Sequence, residues 1–302
     1  MKKNCIIAFL TVLSITACYG NKPHKPLIGG IQGAYQSEVS ESTDSDDTDS
    51  YYKKKKNKNY NEGYSVKQDL ENLLPKINKD VQSQILYRTG YITSYNKDTK
   101  LPNWTMWHLT KAHSTGNSQR KNAKFHDDYD VPSPRATNND YYNSRYDRGH
   151  MCPAGDNKWS SDAMNDCFLF TNMCPQNHNL NTGAWNDLEM QCRYWARRYG
   201  DIYIVCGPLL DDGDHKKVGR NKVVVPERFY KVVLRLGNDP AAIGFIYENK
   251  GSERGIKQYA CSVDDVEEIT GIDFFSGLSD GLENKLESKY DTYDWVWNDL
   301  RY

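Results

Sequence analysis

Three apolar, β-rich runs at residues 201–210, 223–236 and 241–248 are joined by connections of hairpin length, with Pro226 interrupting the middle run. Residues 85–95 and 104–110 alternate in the same way around an Asn-Lys-Asp-Thr-Lys stretch and read as a further hairpin. The run Phe168-Leu169-Phe170-Thr171 reads as one more strand. Hairpins build antiparallel sheets, whereas a doubly wound parallel sheet needs a crossover between successive strands. Helical patterns are fewer. The strongest starts at Asn181 or Thr182, runs to Tyr199 and is closed by Gly200. Shorter ones fall at 65–77, closed near Pro75, and at 262–270 and 279–289. The chain is therefore expected to be α+β, with a central, largely antiparallel sheet flanked by helices. Residues 113–146 are polar and rich in turn chemistry, and are expected to form a long functional loop.

This pattern occupies only part of the chain. Residues 1–18 read as an export signal, with Lys2 and Lys3 ahead of a short, mostly apolar stretch from Ile6 to Leu13. That stretch is far shorter than the ~20 apolar residues of a membrane span. It ends Ile15-Thr16-Ala17-Cys18, which resembles a bacterial lipoprotein cleavage box, and the resemblance implies acylation of Cys18. Two or more acyl chains suffice for stable anchoring. The plainer alternative is an ordinary signal peptide with an incidental cysteine. Either way the protein is expected to be exported, as an outer-membrane or cell-surface lipoprotein or else into the periplasm or medium.

Residues 19–65 set acids among Ser and Thr and then run into Lys53–Lys56 and Lys58. Such a segment buries almost nothing and is read as a disordered linker. The lysines are read as part of a tether, because the adjacent acids offset their attraction for phosphate. All seven Trp lie beyond residue 100, and the region 66–302, about 235 residues, is long enough for one large domain. Net charge is −1, so overall balance does not advertise a polyanionic partner. Six cysteines fall in this region: Cys152, Cys167, Cys174, Cys192, Cys206 and Cys261. In an oxidising compartment they suggest up to three disulfides, with pairing open. For Cys206, in an apolar strand-like run, a buried free thiol is the alternative.

The chemistry is concentrated between Asp147 and Arg193. The segment opens Asp147-Arg148-Gly149-His150, passes Thr171-Asn172-Met173-Cys174-Pro175-Gln176, and reaches Asn181-Thr182-Gly183-Ala184-Trp185 with Glu189 four residues on. These three boxes, in this order, resemble those of the DNA/RNA non-specific endonucleases of the ββα-metal class. The resemblance covers roughly residues 85–300 in organisation and 147–193 in motif. It implies a ββα-metal nuclease domain that hydrolyses the phosphodiester bonds of DNA and RNA, with one divalent ion and a histidine base.

The residues read on their own terms agree. Phosphodiester hydrolysis needs an activated water and relief of negative charge in the transition state. His150 offers a base near neutral pH, and Gly149 beside it is read as allowing close approach of the backbone to substrate. Asn181 offers a hard, neutral oxygen, suited to Mg²⁺, or to Mn²⁺ and Ca²⁺, and poorly suited to zinc or copper. The plainer role for Asn181 is a helix N-cap, and the two roles are compatible. Glu189, eight residues on, lies about 80° around an ideal helix from Asn181 and is placed to orient metal-bound waters. Arg193, one turn further, is either a surface partner of Glu189 or the residue that holds it.

The family uses two arginines on phosphate. Arg148 carries over from its box, in a role that supports the site more than it touches the scissile group. Arg120 is the best match for the second, with Arg135 and Arg145 as rivals; a forked guanidinium is the expected partner for phosphate charge. Asn172 is read as a brace, and Trp185 as core. Cys152, Cys167, Cys174 and His178 do not have the paired spacing of a structural zinc site.

From another class, the rival reading is a catalytically degenerate, nucleic-acid-binding or adhesive surface lipoprotein, which leaves the co-occurrence of His150, Asn181 and Glu189 unexplained. No recognition helix dense in Arg, Asn and Gln is evident. Contacts are therefore expected to fall on phosphates, without base specificity and with activity that declines in salt.

Overall fold

The computed structural model describes residues 70–77, 80–251 and 255–298. The export signal, the linker and the first residues of the helix expected at 65–77 lie outside the described residues. After β1 (Lys76–Ile77), the chain lays down β2 (Gln84–Tyr87), β3 (Ile92–Asn96) and β4 (Leu101–Thr110). A long excursion follows, with α1 (Asn138–Tyr141), β5 (Asp147–His150), α2 (Ser161–Asp166), β6 (Met173–Gln176), α3 (His178–Thr182) and α4 (Ala184–Tyr199). Next come β7 (Asp201–Leu209), the short pair β8 (Lys217–Val218) and β9 (Val223–Val224), then β10 (Arg228–Arg235), β11 (Ala241–Glu248) and β12 (Ala260–Cys261). The described part closes with α5 (Val263–Thr270), β13 (Ile272–Asp273) and α6 (Asp280–Glu287).

Seven strands form one sheet in the order β12-β11-β10-β7-β4-β3-β2, and every neighbouring pair is antiparallel. Both faces are covered, and the period of two is visible in the side chains. In β4, Trp107 and Leu109 enter one core while Trp104 and Met106 enter the other. In β10, Phe229 and Val233 face the first core, and Tyr230, Val232 and Leu234 the second. The first core is closed by α4 and the excursion, through Trp185, Leu188, Cys192 and Trp195. The second is closed by α5 and α6, through Val263, Val266 and Leu286. This is the α+β arrangement expected, with helices on both sides of an antiparallel sheet.

Several local expectations change. The run 85–95 is two strands, because the chain turns at Arg88–Tyr91, where Arg88 N donates to Tyr91 O at 2.8 Å. Pro226, which has no N–H to give a ladder, separates β9 from β10. The described part of 65–77 is a single turn at Leu70 and Glu71. It gives way after Pro75 to β1, which pairs with β13. Residues 168–171 are not a strand. Their apolar character reflects burial, with Phe168 2% and Phe170 1% exposed, and the ladder starts at Met173 after a 3₁₀ turn at Phe170–Asn172. The long helix begins at Ala184, not at Asn181 or Thr182, because the chain breaks at Gly183 and leaves α3 as a separate short helix.

The disulfide expectation is corrected. All six cysteines of the domain are free thiols, five of them buried. Instead of pairing, they bond locally: Cys167 Sγ donates to Met164 O (3.1 Å), Cys206 Sγ donates to Met151 O (3.4 Å), and Cys152 Sγ accepts from Asn157 (3.3 Å). An even count in an exported chain sets no geometry by itself.

Candidate active site

Strands β5 and β6 form an antiparallel ribbon with Asp147 opposite Gln176 and His150 opposite Met173. Its side chains explain two of the sequence boxes. A Cβ on Gly149 would lie 2.4 Å from Gln176 Oε1 and 2.6 Å from Gln176 Cβ. The glycine is therefore required by the fully buried Gln176 folded across it, and the close approach it permits is to Gln176 and not to substrate. Behind the ribbon, Asn172 accepts from Cys152 N and donates to the carbonyls of Cys152 and Cys167, all at 2.9 Å. That fully buried asparagine fixes the chain just beyond His150.

His150 ends the ribbon, 7% exposed, with Phe168 edge-on at 4.9 Å and Phe125 at 5.6 Å between ring centres. Burial first, and the nearby charge of Arg120 second, push its pKa down to about 3, against a hydrogen bond to the Arg148 backbone. Nε2 has no hydrogen-bond partner among the described residues. The backbone bond therefore belongs to Nδ1, which donates to the Arg148 carbonyl. The imidazole is neutral, with a basic Nε2 held in one orientation.

His150 lines a cleft of about 800 Å³ together with Arg120, Lys158, Asn181, Glu189 and Arg193. Asn181 reaches it from α3, which Asn177 caps by accepting from Asn179 N (3.0 Å) and Leu180 N (3.4 Å). Asn181 does not cap α4; Gly183 stands at that position. Asn181 Nδ2 donates to Asp147 Oδ2 at 2.9 Å, and His178 Nδ1 meets the same oxygen at 2.9 Å. A carboxylate can only accept here, so the amide nitrogen is committed to Asp147 and the carbonyl Oδ1 is the atom offered to a ligand. Asp147 opens the first box but was given no role from sequence; its place beside Asn181 is a product of the fold. Asn249, beyond β11, anchors the same corner by accepting from Asn177 N (2.7 Å) and donating to Pro175 O (3.1 Å) and Pro226 O (2.8 Å).

Glu189 comes from α4, its side chain 13% exposed. Burial pushes its pKa up to about 7, and the positive charges of Lys231 and Arg193 oppose the shift. Arg193 is not a surface partner. Its Nη1 donates to Asp156 Oδ1 at 2.9 Å and lies 3.9 Å from Glu189 Oε2, and Asp156 in turn accepts from Trp107 Nε1 at 3.0 Å. Lys231, fully buried, lies over the rings of Trp185 (4.4 Å) and Trp107 (5.1 Å). Asp156 and Lys231 lie outside all three boxes, and nothing in their sequence surroundings marks them.

Of the arginine candidates, Arg120 alone is brought into the cleft, from the 3₁₀ turn Arg120–Asn122 with its guanidinium 5.7 Å from the Phe168 ring centre. Arg135 donates to Asp128 O (3.0 Å) and stacks on Tyr129, and Arg145 is outside the lining. Arg148 is also outside it. Its side chain donates to Asn138 Oδ1 (2.6 Å) and lies 5.0 Å from the centre of the Phe125 ring, which also flanks His150.

The donor set fits a hard, water-rich divalent ion. It offers one neutral amide oxygen of fixed orientation and one carboxylate in an open polar cleft, and the buried thiols stand apart from it.

Comparison with known proteins places the chain as follows. The sequence profile of the DNA/RNA non-specific endonucleases matches residues 70–281. Mitochondrial nuclease EXOG of Mus musculus is 38% identical over 207 residues, 63% of this chain and 56% of that protein. Nuclease C1 of Cunninghamella echinulata is 37% identical over 209 residues, 64% and 83%. A nuclease of Nostoc is 31% identical over 220 residues, 68% and 78%. The match thus spans just over half the length of the mouse EXOG protein. Among solved structures, that of an EndoG/EndoGI complex superposes with a TM-score of 0.65 at 26% identity, over 70% of this chain and 92% of the other.

Proposed function

This chain belongs to the DNA/RNA non-specific endonuclease family, and we propose that it hydrolyses internal phosphodiester bonds of DNA and RNA in the cleft between the β5–β6 ribbon and α4. The observation that carries the reading is the convergence of His150, Arg120, Asn181 and Glu189 on one cleft. Nε2 of His150, unprotonated and without a hydrogen-bond partner among the described residues, takes the proton of the attacking water. Burial keeps the ring unprotonated across the neutral range, so its lone pair is free, and phosphate charge in the cleft restores the basicity that burial removes. Arg120 presents a fork to the non-bridging oxygens of the phosphate as negative charge grows there. Asn181 Oδ1 would hold the divalent ion, Mg²⁺ with Mn²⁺ as a substitute, and Glu189 on α4 would serve as a hydrogen-bond acceptor beside it. Bound there, the ion supplies charge neutralisation at the reacting phosphate. Arg193 and Asp156 keep Glu189 in place.

The contacts these groups make are to phosphate, which carries no base information, and this supports cleavage without sequence preference. The residues at 1–18 support export and anchoring through Cys18, so the partners are extracytoplasmic nucleic acids and a membrane reached only by lipid. Digestion of plasmid DNA and of RNA in Mg²⁺ tests the enzyme reading. Cleavage of both is expected, together with its loss in EDTA and a fall of roughly 10²–10⁴-fold in His150→Ala. Intact substrates under every divalent ion would end the proposal, and undiminished cleavage by His150→Ala would move the base elsewhere.

A further inference from the structure

On the far side of the sheet from the cleft, α5 and α6 bring together a second group of acids. Carboxylate oxygens of Asp264, Glu267 and Glu287 all lie within 4.8 Å of one another. Asp264 and Glu267 sit three residues apart on α5, hence on one face, and Glu287 is the last residue of α6. A carboxylate at that helix end meets the negative pole of the dipole and gains nothing from it. Glu287 is only 2% exposed, and its Oε1 is buried with no hydrogen-bond partner among the described residues. A buried carboxylate with an unsatisfied oxygen, packed within reach of two other carboxylates, is costly unless a positive species lies between them. Asp273 and Glu283 add further negative charge around the group, which Lys76 offsets at Glu283.

We propose that Asp264, Glu267 and Glu287 form a divalent cation site, with Ca²⁺ as the fitting ion, that ties α5 to α6 independently of the cleft. The donors are all hard oxygens, which excludes thiophilic metals. The number and kind of donors also discriminate among hard ions. Ca²⁺ accepts several carboxylates in a flexible geometry, whereas Mg²⁺ demands a near-ideal octahedron and keeps most of its waters, so three carboxylates brought together by two helices suit Ca²⁺ better. Asp264 is exposed and Glu267 partly so, which gives an ion an entry path and room for waters, while Phe274 N, donating to Glu267 Oε1 at 2.7 Å, holds one ligand in place. The competing occupant is a proton: burial and the surrounding acids push Glu287 up to about 9 and Glu267 up to about 7.

The test uses the full chain, stripped of metal and carrying Asn181→Ala so that uptake at the cleft does not intrude. Equilibrium dialysis against CaCl₂ is expected to find one Ca²⁺ per chain, and none once Glu267→Gln and Glu287→Gln are added. Ca²⁺ is expected to raise Tm of the first protein by several degrees and to leave the second unmoved, and calorimetry near pH 7 is expected to show protons released on binding. Should the double carboxamide fail to fold, Asp264→Asn, an exposed change, is expected to weaken Ca²⁺ uptake by about tenfold or more. Uptake that is absent, or unchanged by the carboxamides or by Asp264→Asn, overturns the proposal, and stabilisation by acid with no Ca²⁺ uptake assigns the cluster to a shared proton.

Discussion

His150 and Glu189 are both taken out of water, and burial moves their titrations in opposite directions, to about 3 and to about 7. The first shift keeps the ring unprotonated but weakens it as a base, so proton uptake by His150 relies on negative charge brought by the substrate. The second carries a cost that stability can reveal. A carboxyl with a folded pKa near 7 and an ordinary one near 4.5 favours folding fully below pH 4.5, and that contribution is lost as pH rises through 7. In metal-free protein, Glu189→Gln is therefore expected to gain stability over the parent by about 2–3 kcal/mol more at pH 8.5 than at pH 4.5. Urea melts at the two pH values measure this, and a difference that does not change with pH would show that Glu189 is better solvated than its position indicates. Both residues were legible in the sequence because each sits in a box. Their tuning was only partly so: Arg193 was paired with Glu189 in the sequence, but Phe125 and Lys231 act through space from positions that no box marks.

At the scale of elements, the site depends on a corner where the β5–β6 ribbon meets α3. Sequence periodicity merged α3 into α4, since a single glycine is a weak break in an otherwise helical pattern. The separation matters, because it lets Asn181 turn back toward Asp147 at the start of the ribbon. Asp147→Ala removes the acceptor for the Asn181 amide and for His178, leaving Asn181 free to rotate. The concentration of Mg²⁺ giving half-maximal cleavage is expected to rise by about 10–100-fold, with cleavage at saturating Mg²⁺ much less affected. A metal titration of cleavage rates decides it: a fall in the maximal rate with no change in metal demand would mean that Asp147 serves something other than Asn181. Gln176 makes the complementary point. The box that contains it was legible as a pattern, yet its role in demanding Gly149 needed the strand register.

For the molecule as a whole, the sheet was legible because β-rich runs are joined by connections of hairpin length, and the two cores were not, because both faces are covered and the central strands read as nearly continuous apolar runs. The cysteines show where counting fails. Five of them, Cys152, Cys167, Cys174, Cys192 and Cys206, lie in the core between the sheet and α4, while Cys261 packs against the other. Oxidation proceeds through thiolate, and burial pushes Cys192 and Cys206 up to about 12 and the other three core thiols upward as well. Even under oxidising conditions, folded protein is thus expected to keep its thiols. Alkylation in denaturant without reductant, followed by peptide mapping, should recover all six as separately alkylated peptides, and dithiothreitol should leave Tm unchanged. Cross-linked peptides, or a Tm that drops on reduction, would mean that the core packs two of these elements closer than the hydrogen bonds of Cys167 and Cys206 to Met164 and Met151 allow.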